Sequence, residues 1–489
     1  LPICQAEVAE VFTVPVADLL DAGVVSCDSS GILKQKDDII TWRVEGLQED
    51  SGAVYKDKQL MRQFMQYYLK VIPHKTNVCM ISGNKEQIAQ QHLKGISNYS
   101  GNAKLISSND DRNYTFRGRF TGDEEALSIG YVSSQKAHNV LKWMLSNEKV
   151  PAGDRQFLCW NPHGKAVPRI HLPLLGVRED KQKPEPDSYK KQLREIILGY
   201  EQDLTNSESV VVASFEAATS GRLSMTYYSE LQGADFLERL YRWDLTCCWD
   251  SWKWGAFSPS LYQVLRCAFG TQRGNEETAR LEPDAKLIGP QMQRLIICRL
   301  DGTMFPMDIL RKLVQKASNL QIYTQNNREE LLTVTCAVIR KYQYDHNKEE
   351  WPMVLEENKK DRSYQYGRLL AIMEKIERDT YDSGESRETN AIRSQAFFVQ
   401  RPQTAFSQIM TQLKTGYYPR LSATSRVFYD KLIGEVVGNL SEYSMQELNK
   451  PLSETYLMGY YLQKNALYTK KDQNTEFTNA QEEKEYGSY

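Results

Sequence analysis

Residues 210–228 read VVVASFEAATSGRLSMTYY. Two runs rich in β-branched and aromatic residues, Val210–Phe215 and Leu223–Tyr228, flank the polar cluster Thr219-Ser220-Gly221. This pattern predicts a β-hairpin, because such side chains suit a pleated surface and glycine relieves the turn. Upstream, strand-like runs recur at Ile39–Val44, Asn77–Ser82 and Ala103–Ser107, interleaved with helical spacing in Lys58–Leu69 and Ser134–Leu145. A charged, proline-containing stretch, Arg178–Lys191, is expected to be an exposed loop. From Leu261 onward the apolar period becomes helical. Tyr366, Leu369, Leu370, Met373 and Ile376 share one helical face; Phe428, Leu432, Ile433, Val436, Val437 and Leu440 share another. Ser453 is placed to cap a helix running through Leu462. Breaks fall at Tyr344–Pro352, Asp382–Thr389 and Thr415–Pro419. The expected fold class is an α+β N-terminal domain (1–255) followed by an all-α C-terminal helical bundle (256–469), with a disordered polar tail over 470–489.

Bulk properties narrow the function. The 489 residues carry 61 Lys plus Arg against 63 Asp plus Glu, a formal charge of -2. A chain that wraps nucleic acid by bulk charge would be basic, so any such contact must use local patches. The 9 cysteines are scattered, odd in number and form no CxxC, which supports neither a disulfide framework nor a zinc knuckle. They are expected to be reduced thiols in a cytoplasmic protein. No apolar run approaches the ~18 residues that span a bilayer. The chain begins at Leu1 with no basic n-region, so a signal peptide is not expected and an N-terminal segment is expected to be missing.

Enzyme signatures are mostly lacking. Gly164-Lys165 has no upstream phosphate-loop glycine, and no GxGxxG, HExxH or GxSxG occurs. His163 and His171 stand eight residues apart without a carboxylate at ligand spacing, and Pro283-Asp284-Ala285-Lys286 is a lone nuclease-like D-x-K element. The expectation is therefore a protein that is not an enzyme and needs no cofactor or metal.

Three stretches remain as binding candidates. In Lys104–Phe120, KLISSNDDRNYTFRGRF, reading Asn113–Phe120 as a strand puts Tyr114, Phe116 and Phe120 on one face and Thr115, Arg117 and Arg119 on the other, with Arg112 just upstream. Arginines pair with phosphates and uncovered aromatics stack on bases; equally, the aromatics suit a core and the arginines suit neighbouring carboxylates. In Gly130–Trp143, GYVSSQKAHNVLKW, Ser133 or Ser134 is placed to cap a helix whose buried stripe would be Ala137, Val140, Leu141, Met144 and Leu145. Gln135, Asn139 and Lys142 would then face outward, with Lys136 and His138 on the flanks. That surface suits phosphate, or is an ordinary solvated face with a structural histidine. Finally, Trp243, Trp249, Trp252 and Trp254 form a cluster that suits a domain seam, a subunit interface or base stacking.

These stretches also carry a resemblance. CMISGNKEQIAQQHLKGI (79–96), KLISSNDDRNYTFRGRF (104–120) and GYVSSQKAHNVLKWML (130–145) run in the order found in the large subunit of the type I-C CRISPR interference complex, Cascade. MQRLIICRLDGTMFPMDILRKLVQKASN (292–319), ETNAIRS (388–394), FYDKLIGEVV (428–437), DRSYQYGRLLAIMEKIE (361–377) and LSETYLMGYYLQKNALY (452–468) resemble its later blocks. The resemblance covers 40–468. It implies a non-catalytic subunit of a crRNA-guided antiviral complex that helps recognise the PAM in target double-stranded DNA, opens the duplex and holds the displaced strand, while base pairing with the guide reads the rest. It further implies backbone, crRNA-handle-binding and small subunits as partners, a recruited helicase–nuclease that does the cutting, and no membrane. It raises the interest of Lys104, Arg112, Arg117, Arg119, Gln135, Lys136, His138, Asn139 and Lys142 as nucleic-acid contacts. The family's N-terminal region is longer than the one present here. The helical C-terminal part resembles the small subunit of such complexes, with Met353 and Met373 as candidate internal translation starts. Alternatives are a scaffold that never touches DNA, or a metal-dependent nuclease using Asp284 and Lys286.

Overall fold

The computed structural model describes residues 18, 53–71, 75–97, 99–107, 120, 123–147, 150, 152–176, 184–275 and 278–468. The chain divides into two units, 1–90 and 91–489. In the first, Asp57 starts the helix Lys58–Val71 by accepting hydrogen bonds from the Gln59 and Leu60 N–H groups (2.8 and 3.0 Å). Its apolar side chains Met61, Phe64, Tyr67 and Val71 are exposed. A short hairpin follows, Thr76–Val78 against Lys85–Gln87. The strand expected over Asn77–Ser82 stops at Val78 because Cys79 N–H bonds Asn84 O (2.9 Å) and closes a turn through Gly83 at φ 71°. Ile39–Val44 lies outside the described residues.

In the second unit the hairpin read from 210–228 is present and longer. Ser209–Thr219 pairs antiparallel with Arg222–Gln232, and Arg155–Trp160 adds a third strand on the other side of Ser209–Thr219. The period of two divides the sheet between two cores. Val210 and Val212 join the large core, while Ala213 and Phe215 join a small one with Ile96, Ala103, Leu145, Leu158 and Leu223. Over Ala103–Ser107 the expected strand is reduced to a single bridging residue, Lys104. The loop expected over Arg178–Lys191 is helical from Pro186: proline is pre-set for the first helical turn, and the buried Tyr189 fixes the helix Pro186–Glu201 on the core.

Helices dominate from Leu261, as their periodicity predicts, and the large core runs from Ala152 to Leu467. At its centre the helix Arg362–Arg378 is buried nearly all round, including the predicted face Tyr366, Leu369, Leu370, Met373 and Ile376. Buried polar groups need partners there. Arg368 Nε donates to Gln463 Oε1 (2.8 Å), and Glu374 accepts from Tyr460 Oη (2.5 Å) and Lys464 Nζ (3.0 Å). All three partners sit on the helix formed by residues 455–468, which begins after Ser453 and Glu454; Ser453 O accepts the Tyr456 N–H. On Ala423–Leu440 the buried residues are Tyr429, Val436 and Leu440; Phe428 and Val437, expected inside, are exposed. The tryptophan stretch is a small hairpin, Trp249–Ser251 with Gly255–Phe257. Trp243 and Trp249 are core residues, whereas Trp252 is half exposed.

Candidate nucleic-acid interface

The basic residues brought together in the second unit come from three distant segments. Lys104 forms an antiparallel bridge with Lys94 and a parallel bridge with Arg222. The bridges are held by Gly95 N–H to Ala103 O (3.1 Å), Lys104 N–H to Gly221 O (3.1 Å) and Leu223 N–H to Lys104 O (3.0 Å). Bridged residues lie on the same face, about 4.7–4.9 Å apart per strand. Their neighbours Ala103 and Leu223 point into the small core, which turns Lys104 and Arg222 away from it. Among the described residues none of Lys94, Lys104 and Arg222 is in an ion pair. Three cations spaced like this form a basic strip without a counter-charge among the described residues, a geometry suited to successive phosphates.

Beside the strip stands the helix Tyr131–Asn147. His92 Nδ1 meets Ser134 Oγ at 2.8 Å, and Ser134 Oγ lies 3.2 Å from His138 Nδ1, which donates to Ser134 O (2.7 Å). Burial, with His138 and Lys104 nearby, pushes the His92 imidazole down to about 4. This arrangement corrects two expectations. Neither Ser133 nor Ser134 is an N-cap: the helix begins at Tyr131, Ser134 N–H bonds Gly130 O (2.8 Å), and the Ser134 hydroxyl serves the two histidines. The inward stripe is Ser134, His138, Leu141 and Leu145, so Ala137 and Val140 are exposed. Inside the helix His138 Nδ1 finds its partners on Ser134, and the small core takes the leucines of that side.

The candidates therefore divide. Lys104 is on the strip; Lys136, Asn139 and Lys142 are exposed on the helix. Gln135 is half-buried, and its carbonyl accepts from Asn139 Nδ2 (2.8 Å), which occupies that amide locally. His138 is only 3% exposed and sits inside rather than on a flank. Arg112, Arg117 and Arg119, with the strand expected over Asn113–Phe120, fall outside the described residues apart from Phe120 itself. Sequence reading missed Lys94 and Arg222, which have no local pattern, and Trp143, which is 67% exposed on the outer helix face with Lys136. An uncovered indole beside a lysine suits base stacking with a phosphate contact.

Asp284 caps the helix Ala285–Asp301 by accepting the Lys286 N–H (2.9 Å). His163 Nδ1 meets Glu208 Oε2 (2.8 Å), and His171 is buried. Among the described residues no three His, Cys, Asp or Glu side chains gather as metal ligands, and no helix is long and apolar enough to cross a membrane. No curated protein matches the chain. The profile of the family described as CRISPR-associated protein (Cas_Csd1) matches residues 20–468, nearly all of it and every block quoted above. The chain belongs to this Cas_Csd1 family of CRISPR-associated proteins, large subunits of the Cascade complex.

Proposed function

We propose that this protein is the non-catalytic large subunit of a type I-C, crRNA-guided complex in the cytoplasm, and that it grips target DNA during PAM recognition and duplex opening. The observation that carries the DNA contact is the strip Lys94–Lys104–Arg222, whose charges are unpaired among the described residues. Lys136, Lys142 and Trp143 on the neighbouring helix extend the contact. Cutting falls to a separate helicase–nuclease. The test is duplex binding by the assembled complex across a salt series. Removing one phosphate-binding cation should flatten the log–log slope by about 0.9. Changing Lys94, Lys104 and Arg222 together to alanine should therefore lower affinity and flatten the slope by about 2.7. An unchanged slope with full binding refutes the strip as the contact.

Docking on other subunits is a second role, favoured by the exposed Met61, Phe64, Tyr67 and Val71 on the helix Lys58–Val71. A separately translated small subunit would begin at Met353 rather than Met373. A start at Met373 would discard the first eleven residues of Arg362–Arg378, including Arg368 that anchors the 455–468 helix.

A further inference from the structure

A cavity of about 350 Å³ opens between the Trp249–Phe257 hairpin, the helices Gln325–Tyr342 and Arg362–Arg378, and the 455–468 helix. It is at the small end of the range for ligand pockets. Trp249 packs edge-on against Tyr461 (5.7 Å between centroids), and the Trp252 backbone N–H donates to Tyr461 Oη (3.4 Å). The half-exposed Trp252 lies at the cavity wall.

The electrostatics of the lining narrow the ligand. Three cations, Arg328, Arg378 and Lys464, face three carboxylates, Glu329, Glu374 and Glu388. Glu374 is engaged by Lys464 and Arg378, and Glu388 by Arg328 and Arg378. No surplus positive charge remains for a phosphate, and the charged walls do not suit an apolar peptide anchor. What remains is a site that is aromatic on one side and offers both acceptors and donors elsewhere. Gln325 Nε2 bonds Glu329 Oε1 (3.2 Å), so this pair presents an amide and a carboxylate together. Glu388 Oε2 is buried, 3.8 Å from Arg378 Nη2, with no hydrogen-bond partner among the described residues. It has no exposed surface, so the polar contacts open to a ligand are those of Gln325 and Glu329.

The geometry points to a nucleobase-binding pocket in the helical part of the chain, with Trp252 as the stacking platform and Gln325 and Glu329 reading the edge of the base. Because it rests on the DNA-binding reading above, its source is a base of the displaced single strand, extruded as in other proteins that take bases out of the stack.

The test starts without DNA capture. The full chain is titrated with each of the four deoxynucleoside 5′-monophosphates, and with N-acetyltryptophanamide, by saturation-transfer NMR. At least one nucleotide should bind saturably. Trp252→Ala should weaken it roughly 5- to 100-fold, while Trp252→Phe retains most of the binding. No saturable nucleotide binding, or binding indifferent to Trp252→Ala, overturns the proposal. Binding of the tryptophan amide alone would reassign the cavity to a protein anchor. In the assembled complex, Trp252→Ala should weaken capture of a natural displaced strand but not of an abasic strand of equal length; an equal reduction on both overturns base recognition. Failure of the Lys94–Lys104–Arg222 test with intact nucleotide binding would sink the interface and leave the pocket standing.

Discussion

The helices Arg362–Arg378 and 455–468 cross at two glycines, and this crossing makes a sharp prediction. A Cβ on Gly367 would lie 2.8 Å from both Tyr456 C and Tyr460 N, and a Cβ on Gly459 would lie 2.8 Å from Tyr364 C, each closer still to the carbonyl oxygen. Carbon atoms in good contact stand about 3.5 Å apart, so Gly367→Ala or Gly459→Ala must part the helices by about 0.7 Å or more. The same displacement carries Arg368–Gln463 from 2.8 Å to the limit of hydrogen bonding and Lys464–Glu374 from 3.0 Å past it. Overpacking costs about 1–3 kcal/mol and breaking one charge-assisted bond adds about 1.5–3, for a total of about 2.5–6 kcal/mol. A destabilisation of about 3 kcal/mol corresponds to roughly 10²-fold more frequent opening. Hydrogen exchange of the 455–468 amides measures it directly. The double variant should cost less than the sum of the singles, since one separation relieves both clashes. Gly434→Ala and Gly438→Ala are controls on Ala423–Leu440: an added Cβ meets nothing within 4 Å, and each should stabilise by about 0.5–1 kcal/mol. Exchange over 455–468 unchanged within about threefold in both single variants would refute the close crossing.

Other expectations follow from buried charges and thiols. Asp244 and Arg299 are an ion pair (2.9 Å) with side chains 1% exposed, and Arg299 also donates to Ile170 O and Leu172 O. Asp244→Asn strands the guanidinium and should cost about 3–5 kcal/mol in urea unfolding followed by tryptophan fluorescence; a cost below about 1 kcal/mol would contradict the pair. Burial holds His92 and His171 at about 4, below their ordinary 6.5. The unfolded chain binds these protons near pH 6.5 and the folded chain refuses them until about 4. Their contribution is thus complete above pH 6.5 and is lost as the pH falls towards 4. Replacing both with glutamine should flatten the pH dependence of unfolding in that window, and an unaltered slope would show them solvated. Burial likewise pushes the thiols of Cys247, Cys267 and Cys336 far up. Mass-spectrometric mapping after iodoacetamide at pH 8 should find them labelled only once the chain is unfolded.

The local periods of the chain determine a good deal by themselves. Val210–Phe215 and Leu223–Tyr228 flank the polar turn Thr219-Ser220-Gly221 and form a hairpin, and the residues beyond Leu261 follow a helical period and form mostly helices. The family is legible from the ordered blocks over 79–468. Periodicity says less where two stripes compete on one helix. On Tyr131–Asn147 the apolar pattern favoured Ala137 and Val140, yet Ser134 and His138 go inside, hydrogen-bonded to each other. The basic strip has no local signature at all: Lys94, Lys104 and Arg222 meet only when the segment carrying Lys104 docks between the other two. The Gly367–Gly459 crossing and the Trp252 cavity are likewise formed by segments far apart in the chain. Amphipathic spacing depends only on near neighbours along the chain, so it determines the elements. Contacts between distant residues depend on packing and on the pairing of buried polar groups, so only the tertiary structure decides which residues share a surface.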